Sequence, residues 1–222
     1  MIADALAALL QIFTPPFRAT LLKSLALTIG LLVVAWFALD RLVLSLVHLG
    51  APWLAAVFSI VLGLRLFVGL AFLLAPTASL IAGFYLDEIA GLVEREIDPG
   101  APTGRALPAA AAALLGARFA LLSIAVNLGA LILLFVPGLN LMAFIGANGY
   151  LLGREYFELA AMRFRRPADA RAMRRRFAPT IFVGGLIIAG FVAIPLLNLF
   201  TPLFATALMV RLHKRLTGAP AR

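Results

Sequence analysis

The sequence predicts an all-α integral membrane protein: two long transmembrane helices plus two broken, re-entrant (hemi-penetrating) helical hairpins. Three observations lead there. Hydrophobic residues make up 64% of the 222 positions, and the apolar runs exceed the roughly eighteen residues that mark a membrane segment. A six-residue phrase occurs twice in the middle of such runs, as Val136-Pro137-Gly138-Leu139-Asn140-Leu141 and as Ile194-Pro195-Leu196-Leu197-Asn198-Leu199. Proline there breaks a helix and frees backbone N–H and C=O groups beside an asparagine amide; in lipid, such backbone survives only where protein or a water-filled cavity surrounds it. The basic residues, finally, gather beside the apolar segments.

Composition also excludes several classes. The length allows one membrane domain, residues 1–222, with no room for a separate soluble one. Cysteine is absent, which removes disulfides and thiol chemistry. A formal net charge of +9 would suit nucleic acid, but charge placed beside membrane segments is explained by orientation in the bilayer, so no nucleic-acid partner is expected. No basic residue precedes Arg18, and the start does not read as a cleavable signal peptide.

In chain order, residues 1–16 form a short apolar helix with a polar stripe of Asp4 and Gln11, ended by Thr14-Pro15-Pro16; at this length it lies in the membrane interface. Residues 20–86 supply two spanning helices. The first runs from Thr20 to Leu39, and the second, containing Arg65 and Pro76, is long enough to tilt or kink. Residues 87–118 form a cytoplasmic helix and loop: Ile89, Leu92, Val93 and Ile97 share a face with acids opposite, and Asp98 to Gly104 is turn-rich.

Residues 119–152 carry no charge and as one helix would run about 50 Å against a hydrocarbon core of about 30 Å. They must fold back or cross twice about Pro137-Gly138 near their middle; charge placement suits both, and the shortness of the halves favours a first re-entrant hairpin over two short spans. Residues 153–177 are a basic cytoplasmic segment with eight arginines. Residues 178–212 form the second hairpin, its bend bracketed by Pro195 and Pro202, and 213–222 are a tail. With a cytoplasmic N-terminus and both hairpins returning to the side they leave, seventeen of the nineteen basic residues are cytoplasmic, Arg41 is outside and Arg65 lies within the membrane. Both termini are then cytoplasmic.

Candidate binding residues follow from these breaks. Asn140 and Asn198 stand just after them, each placed to offer its amide to an anion near a helix N-terminus, or to cap the freed backbone as a turn residue. Arg65, inside an apolar run, requires a cavity, a partner or an anion, or a tilt that lets it reach an interface. Glu88 and Glu94 sit on a charged surface helix, solvated or paired with arginines of 153–176. His48 and His213 stand apart, and no spacing suggests a metal, a cofactor or a nucleophile, so no enzyme is expected. The arginine cluster sets topology and meets anionic lipid headgroups. Gly149-x-x-x-Gly153 and Gly184-Gly185 allow close helix approach.

The phrases Ile194-Pro195-Leu196-Leu197-Asn198-Leu199-Phe200, Phe135-Val136-Pro137-Gly138 and Leu92-Val93-Glu94, in their order and spacing, resemble the CysZ family of bacterial sulfate permeases within the etoposide-induced membrane protein superfamily. The resemblance covers most of the chain. It implies a homo-oligomer in the bacterial inner membrane whose protomers have two long spanning helices and two hemi-penetrating helical pairs, moving sulfate inward for cysteine synthesis. It further implies a sulfate site at the start of the first long helix, where the family has a glycine, an apolar residue and an arginine. Here that stretch is Pro16-Phe17-Arg18: Arg18 remains, and Pro16 has no N–H to give the anion. Gly63-Leu64-Arg65 spells the same motif elsewhere. The expected partners are sulfate or a similar small anion and membrane lipids. The alternative is a non-transporting membrane protein that organises lipids or other proteins.

Overall fold

The computed structural model describes residues 1–46, 52–83, 85–108, 111, 114, 121–122, 125 and 139–218. Every regular element among them is a helix. They are α1 (Ile2–Ile12), α2 (Pro15–Leu46), α3 (Pro52–Gly83), α4 (Leu86–Ile97), α5 (Leu139–Met162), α6 (Pro167–Arg176), α7 (Ala178–Val192), α8 (Pro195–Asn198) and α9 (Thr201–Leu216). Proline sets many of these boundaries. It occupies the first or second position of α2, α3, α6, α7, α8 and α9, where its missing N–H would have had no helical partner and its fixed φ already suits the helix. At Thr14-Pro15-Pro16 this both ends α1 and opens α2, and the Thr14 hydroxyl donates to the Gln11 carbonyl at 2.7 Å to finish the first helix.

The chain divides into two compact units, residues 19–84 and residues 1–18 with 85–222. The first contains most of α2 together with α3. Pro15–Val43 is the one helix among the described residues long and apolar enough to cross a bilayer, and nearly all of its apolar window is exposed. In α3 the long side chains of Trp53, Ile60, Leu64 and Phe67 are exposed too. Trp36 of α2 meets Phe67 of α3 with ring centroids 6.1 Å apart. In α2 the hydroxyls of Ser24 and Thr28 donate back to the carbonyls of Leu21 (2.9 Å) and Ser24 (2.7 Å), so these polar side chains satisfy themselves within the helix.

The second unit is built around α9. Leu203, Leu208, Met209 and Leu212 have essentially no exposed surface, as expected of a helix whose 202–210 stretch has Thr206 as its one polar side chain, and α1, α4, α5 and α7 pack around it. The most extensive packing in this unit is between α5 and α7, where Gly149 and Gly153 face Gly185. The glycine pattern legible in the sequence is this crossing. Gly153 lies within helix α5, which continues past the expected end of the first hairpin at 152 as far as Met162. Its glycine serves packing and does not terminate the helix. Its uncharged part, 139–152, is about 21 Å long.

The short N-terminal helix expected from the sequence is α1. Its polar stripe has partners: Gln11 and Glu96 of α4 are hydrogen-bonded, the Arg211 guanidinium of α9 donates to Gln11 Oε1 at 2.9 Å and to Glu96 Oε1 at 2.6 Å, and Arg215 pairs with Asp4 at 2.6 Å. Residues spaced by seven on α1 thus meet residues spaced by four on α9. The opposite side of α1 exposes Ile2, Leu6, Leu10 and Phe13.

Candidate functional site

The second apolar stretch folds as an antiparallel hairpin with a broken tip. Pro195 has no N–H to continue α7, and it drives the preceding residue to extended backbone; Ile194 accordingly has φ −96° and ψ 113°. Five amides around the break are satisfied locally. Ala193 donates to Ala189 (3.1 Å), Ile194 to Phe191 (3.3 Å), Asn198 to Ile194 (2.9 Å), Phe200 to Leu197 (2.9 Å) and Phe204 to Phe200 (3.0 Å). The one-turn helix α8 exists because of these bonds.

Two contacts fix the direction of the arms. The rings of Phe191 and Phe204 stack at 4.3 Å beside the tip. Further back, a Cβ on Gly184 would stand 2.9 Å from Met209 Cε, so residues advancing along α7 meet residues receding along α9. The arms contain 15 and 16 residues, about 22 and 24 Å of helix, shorter than the roughly 30 Å hydrocarbon core. Both have basic ends: Arg174, Arg175 and Arg176 precede α7 in the last turn of α6, and His213, Lys214 and Arg215 occupy the last turn of α9. Helix α6 turns away from α7 at 91°.

At the tip, Asn198 is half-buried. Its Oδ1 accepts from the Thr201 hydroxyl at 3.4 Å, a side-chain contact and not a backbone cap, and its amide NH₂ has no acceptor among the described residues. The other sequence-derived candidates stand on other elements. Asn140 is helical in the first turn of α5. Arg18 is exposed in the first turn of α2, where its N–H donates to the Thr14 carbonyl at 3.0 Å. Arg65 is exposed on α3, in the other unit. Pro137, Gly138 and His48 lie outside the described residues. Pro195 and Pro202 stand at the starts of α8 and α9, where the sequence places the second break.

The base of the hairpin carries a polar network. Arg163 donates from Nε to Glu94 Oε1 at 2.7 Å, bonds Asp87, and reaches the Gly104 carbonyl at 3.1 Å; the Gly104 N–H donates to Glu94 Oε2 at 2.8 Å. Burial alone would lower the Arg163 pKa, but hydrogen bonds and charge from Glu94 and Asp87 outweigh it and raise it. Of the readings open for Glu94, pairing with an arginine of 153–176 is the one observed, and Glu88 is exposed. Arg174 likewise pairs with Glu158 at 2.7 Å.

His213 is buried beside this network, stacked on Phe164 at 5.4 Å and edge-on to Phe157 at 6.1 Å, with neither ring nitrogen hydrogen-bonded among the described residues. Burial first, then the charges of Arg165 and Lys214, lower its pKa to about 4 against the pull of Glu94. Glu155, beyond the uncharged part of α5, is raised by burial to about 7.

The pairs joining α1, α4 and α9 come from the fold. Their signal was present as two matched polar stripes, Asp4 with Gln11 and Arg211 with Arg215, which sequence alone does not bring together. Chemically, the hairpin offers an apolar turn above a base rich in arginine, with an amide nitrogen at its tip that meets no acceptor among the described residues. It holds no cluster of three or more His, Cys, Asp or Glu side chains among the described residues.

No curated protein matches the chain. A family model described as sulfate transporter CysZ/etoposide-induced protein 2.4 matches residues 4–202. With an exposed apolar helix of spanning length, that match makes this a membrane protein of a transporter family, as the Pro-x-Leu-Asn phrases imply, and the chain belongs to the sulfate transporter CysZ/etoposide-induced protein 2.4 family.

Proposed function

We propose that the protein is a permease or channel for sulfate or a related small anion, feeding sulfur assimilation. In this reading α2 and α3 span the bacterial inner membrane, both hairpins re-enter on the cytoplasmic side where the termini lie, and the protein works as a homo-oligomer. The observation that carries it is the hairpin of α7 to α9: two arms too short to cross, a tip broken at Pro195 with the Asn198 amide nitrogen unpartnered among the described residues, and a basic base. A neutral amide donor at such a tip suits an anion that must also leave, because a paired guanidinium would hold it more firmly. Arg18 and Asn140 are the further candidate ligands, with Arg65 on the other long helix.

Thermal unfolding of the detergent-solubilised protein with sulfate, against gluconate at matched ionic strength, tests this. Specific binding raises the melting temperature as sulfate increases, approaching about 2.7 kcal/mol of stabilisation at a hundred times Kd. Identical curves in the two anions contradict a sulfate site.

A further inference from the structure

Five arginines in or just before α6, namely Arg165, Arg166, Arg171, Arg175 and Arg176, are exposed, and none pairs with a carboxylate among the described residues. Arg171 instead donates to the Pro167 carbonyl at 3.1 Å, and Arg176 stands 5.3 Å over the Phe177 ring. The inner side of the same helix is occupied differently: Ala170 is fully buried, and Arg174 turns inward to Glu158. The helix therefore has a packed side and an unneutralised cationic side, with Asp169 as its one acid.

The bend supplies the orientation. If α7 enters the bilayer as the proposed function has it, a helix at 91° to α7 runs along the membrane plane, at the level where its arginines face headgroups. We infer that α6 with its preceding turn is a docking surface for anionic phospholipid headgroups. Charge complementarity favours an extended anionic surface over a single ion: the arginines are spread along about 15 Å of helix and its preceding turn, and Arg171 and Arg175 are stacked one turn apart on the outer side.

The test titrates the full-length protein in neutral detergent with phosphatidylglycerol, with phosphatidylcholine and, separately, with inorganic sulfate, and follows the melting temperature. Phosphatidylglycerol raises it and phosphatidylcholine does not. The variant Arg171→Gln/Arg175→Gln/Arg176→Gln shifts the half-maximal phosphatidylglycerol concentration upward by at least tenfold, given roughly fivefold per arginine at an anionic surface; Arg41→Gln does not shift it. High salt weakens the wild-type response. Equal responses to the two lipids, an unshifted triple variant, or a salt-independent response overturns the inference. So does protection by sulfate alone that the triple variant loses, which would assign these arginines to a free anion. Because the inference takes its orientation from the hairpin reading, sulfate uptake is measured on the same variants. Uptake that persists without a lipid response isolates failure of the lipid surface, and a lipid response without uptake isolates failure of the permease reading.

Discussion

The backbone of Gly185 lies directly against the carbonyl oxygen of Gly149: a Cβ built on Gly185 would stand 1.8 Å from that oxygen and 2.8 Å from Gly153 Cα. Helices α5 and α7 can approach this closely only because glycines meet glycines. Gly185→Ala is therefore expected to unfold the α5–α7 pair or lower the melting temperature sharply, since backbone on both sides must move. Gly184→Ala is expected to cost far less, because its nearest neighbour is the flexible end of Met209. Gly190→Ala, with nothing within 4 Å, should leave stability near wild type. Melting curves of the three variants in one detergent check this order.

Glu94 and Arg163 are both buried and tie α4 and the 98–104 loop to the end of α5. Arg163→Ala leaves the Glu94 carboxylate buried and unpaired, at a cost of about 3–5 kcal/mol. The double variant Arg163→Met/Glu94→Leu is expected to be more stable than Arg163→Ala, because no uncompensated charge remains. If removing the second partner brings no recovery in melting temperature, the pair is not coupled as described.

His213 gives a pH dependence with a definite sign. Its folded-state pKa is lowered to about 4 from an ordinary 6.5, so the unfolded chain takes up the proton first as pH falls. The contribution of the neutral ring is complete above 6.5 and is lost between 6.5 and 4, amounting to about 3 kcal/mol. His213→Phe keeps an aromatic ring between Phe157 and Phe164 and is expected to remove this loss, so that its melting temperature rises relative to wild type on going from pH 6.5 to 4; Glu155, raised by burial to about 7, acts in the opposite sense in both proteins. An unchanged pH profile in the variant would move the effect to other groups.

The cysteine-free sequence permits a clean test of the hairpin's parity. Single cysteines at Arg171 and Thr217, exposed at the two ends of the hairpin, should react with a membrane-impermeant maleimide from the same side, and one at Arg41 from the other. Labelling of Arg171→Cys and Thr217→Cys from opposite sides would mean that the stretch crosses the bilayer.

Much of this architecture is visible in the chain because proline and glycine act locally. Pro15, Pro52, Pro167, Pro195 and Pro202 mark helix starts without help from distant residues, and the break before Asn198 follows from a missing N–H. The glycine pairs indicate a close crossing, although only the fold shows that Gly149-x-x-x-Gly153 and Gly184-Gly185 are each other's partners. Side-chain pairing was less accessible. For Glu94 the sequence leaves open solvation or pairing with an arginine of 153–176, and only the fold selects Arg163, sixty-nine positions away. His213 likewise looks isolated in sequence, and the aromatic slot that lowers its pKa is made by residues of α5 and the turn after it. At the hairpin tip, the sequence leaves Asn198 between capping and anion binding; its Oδ1 meets the Thr201 hydroxyl and not a freed backbone N–H, and its amide nitrogen meets no acceptor among the described residues.

The most direct measurement is uptake of labelled sulfate into liposomes containing the purified protein, compared with empty liposomes and with the Asn140→Ala/Asn198→Ala variant. Protein-dependent uptake that the variant loses, while its melting curve stays near wild type, is the expected result. No uptake above empty liposomes from folded wild-type protein would contradict sulfate permeation and favour a non-transporting role in organising lipids or other proteins.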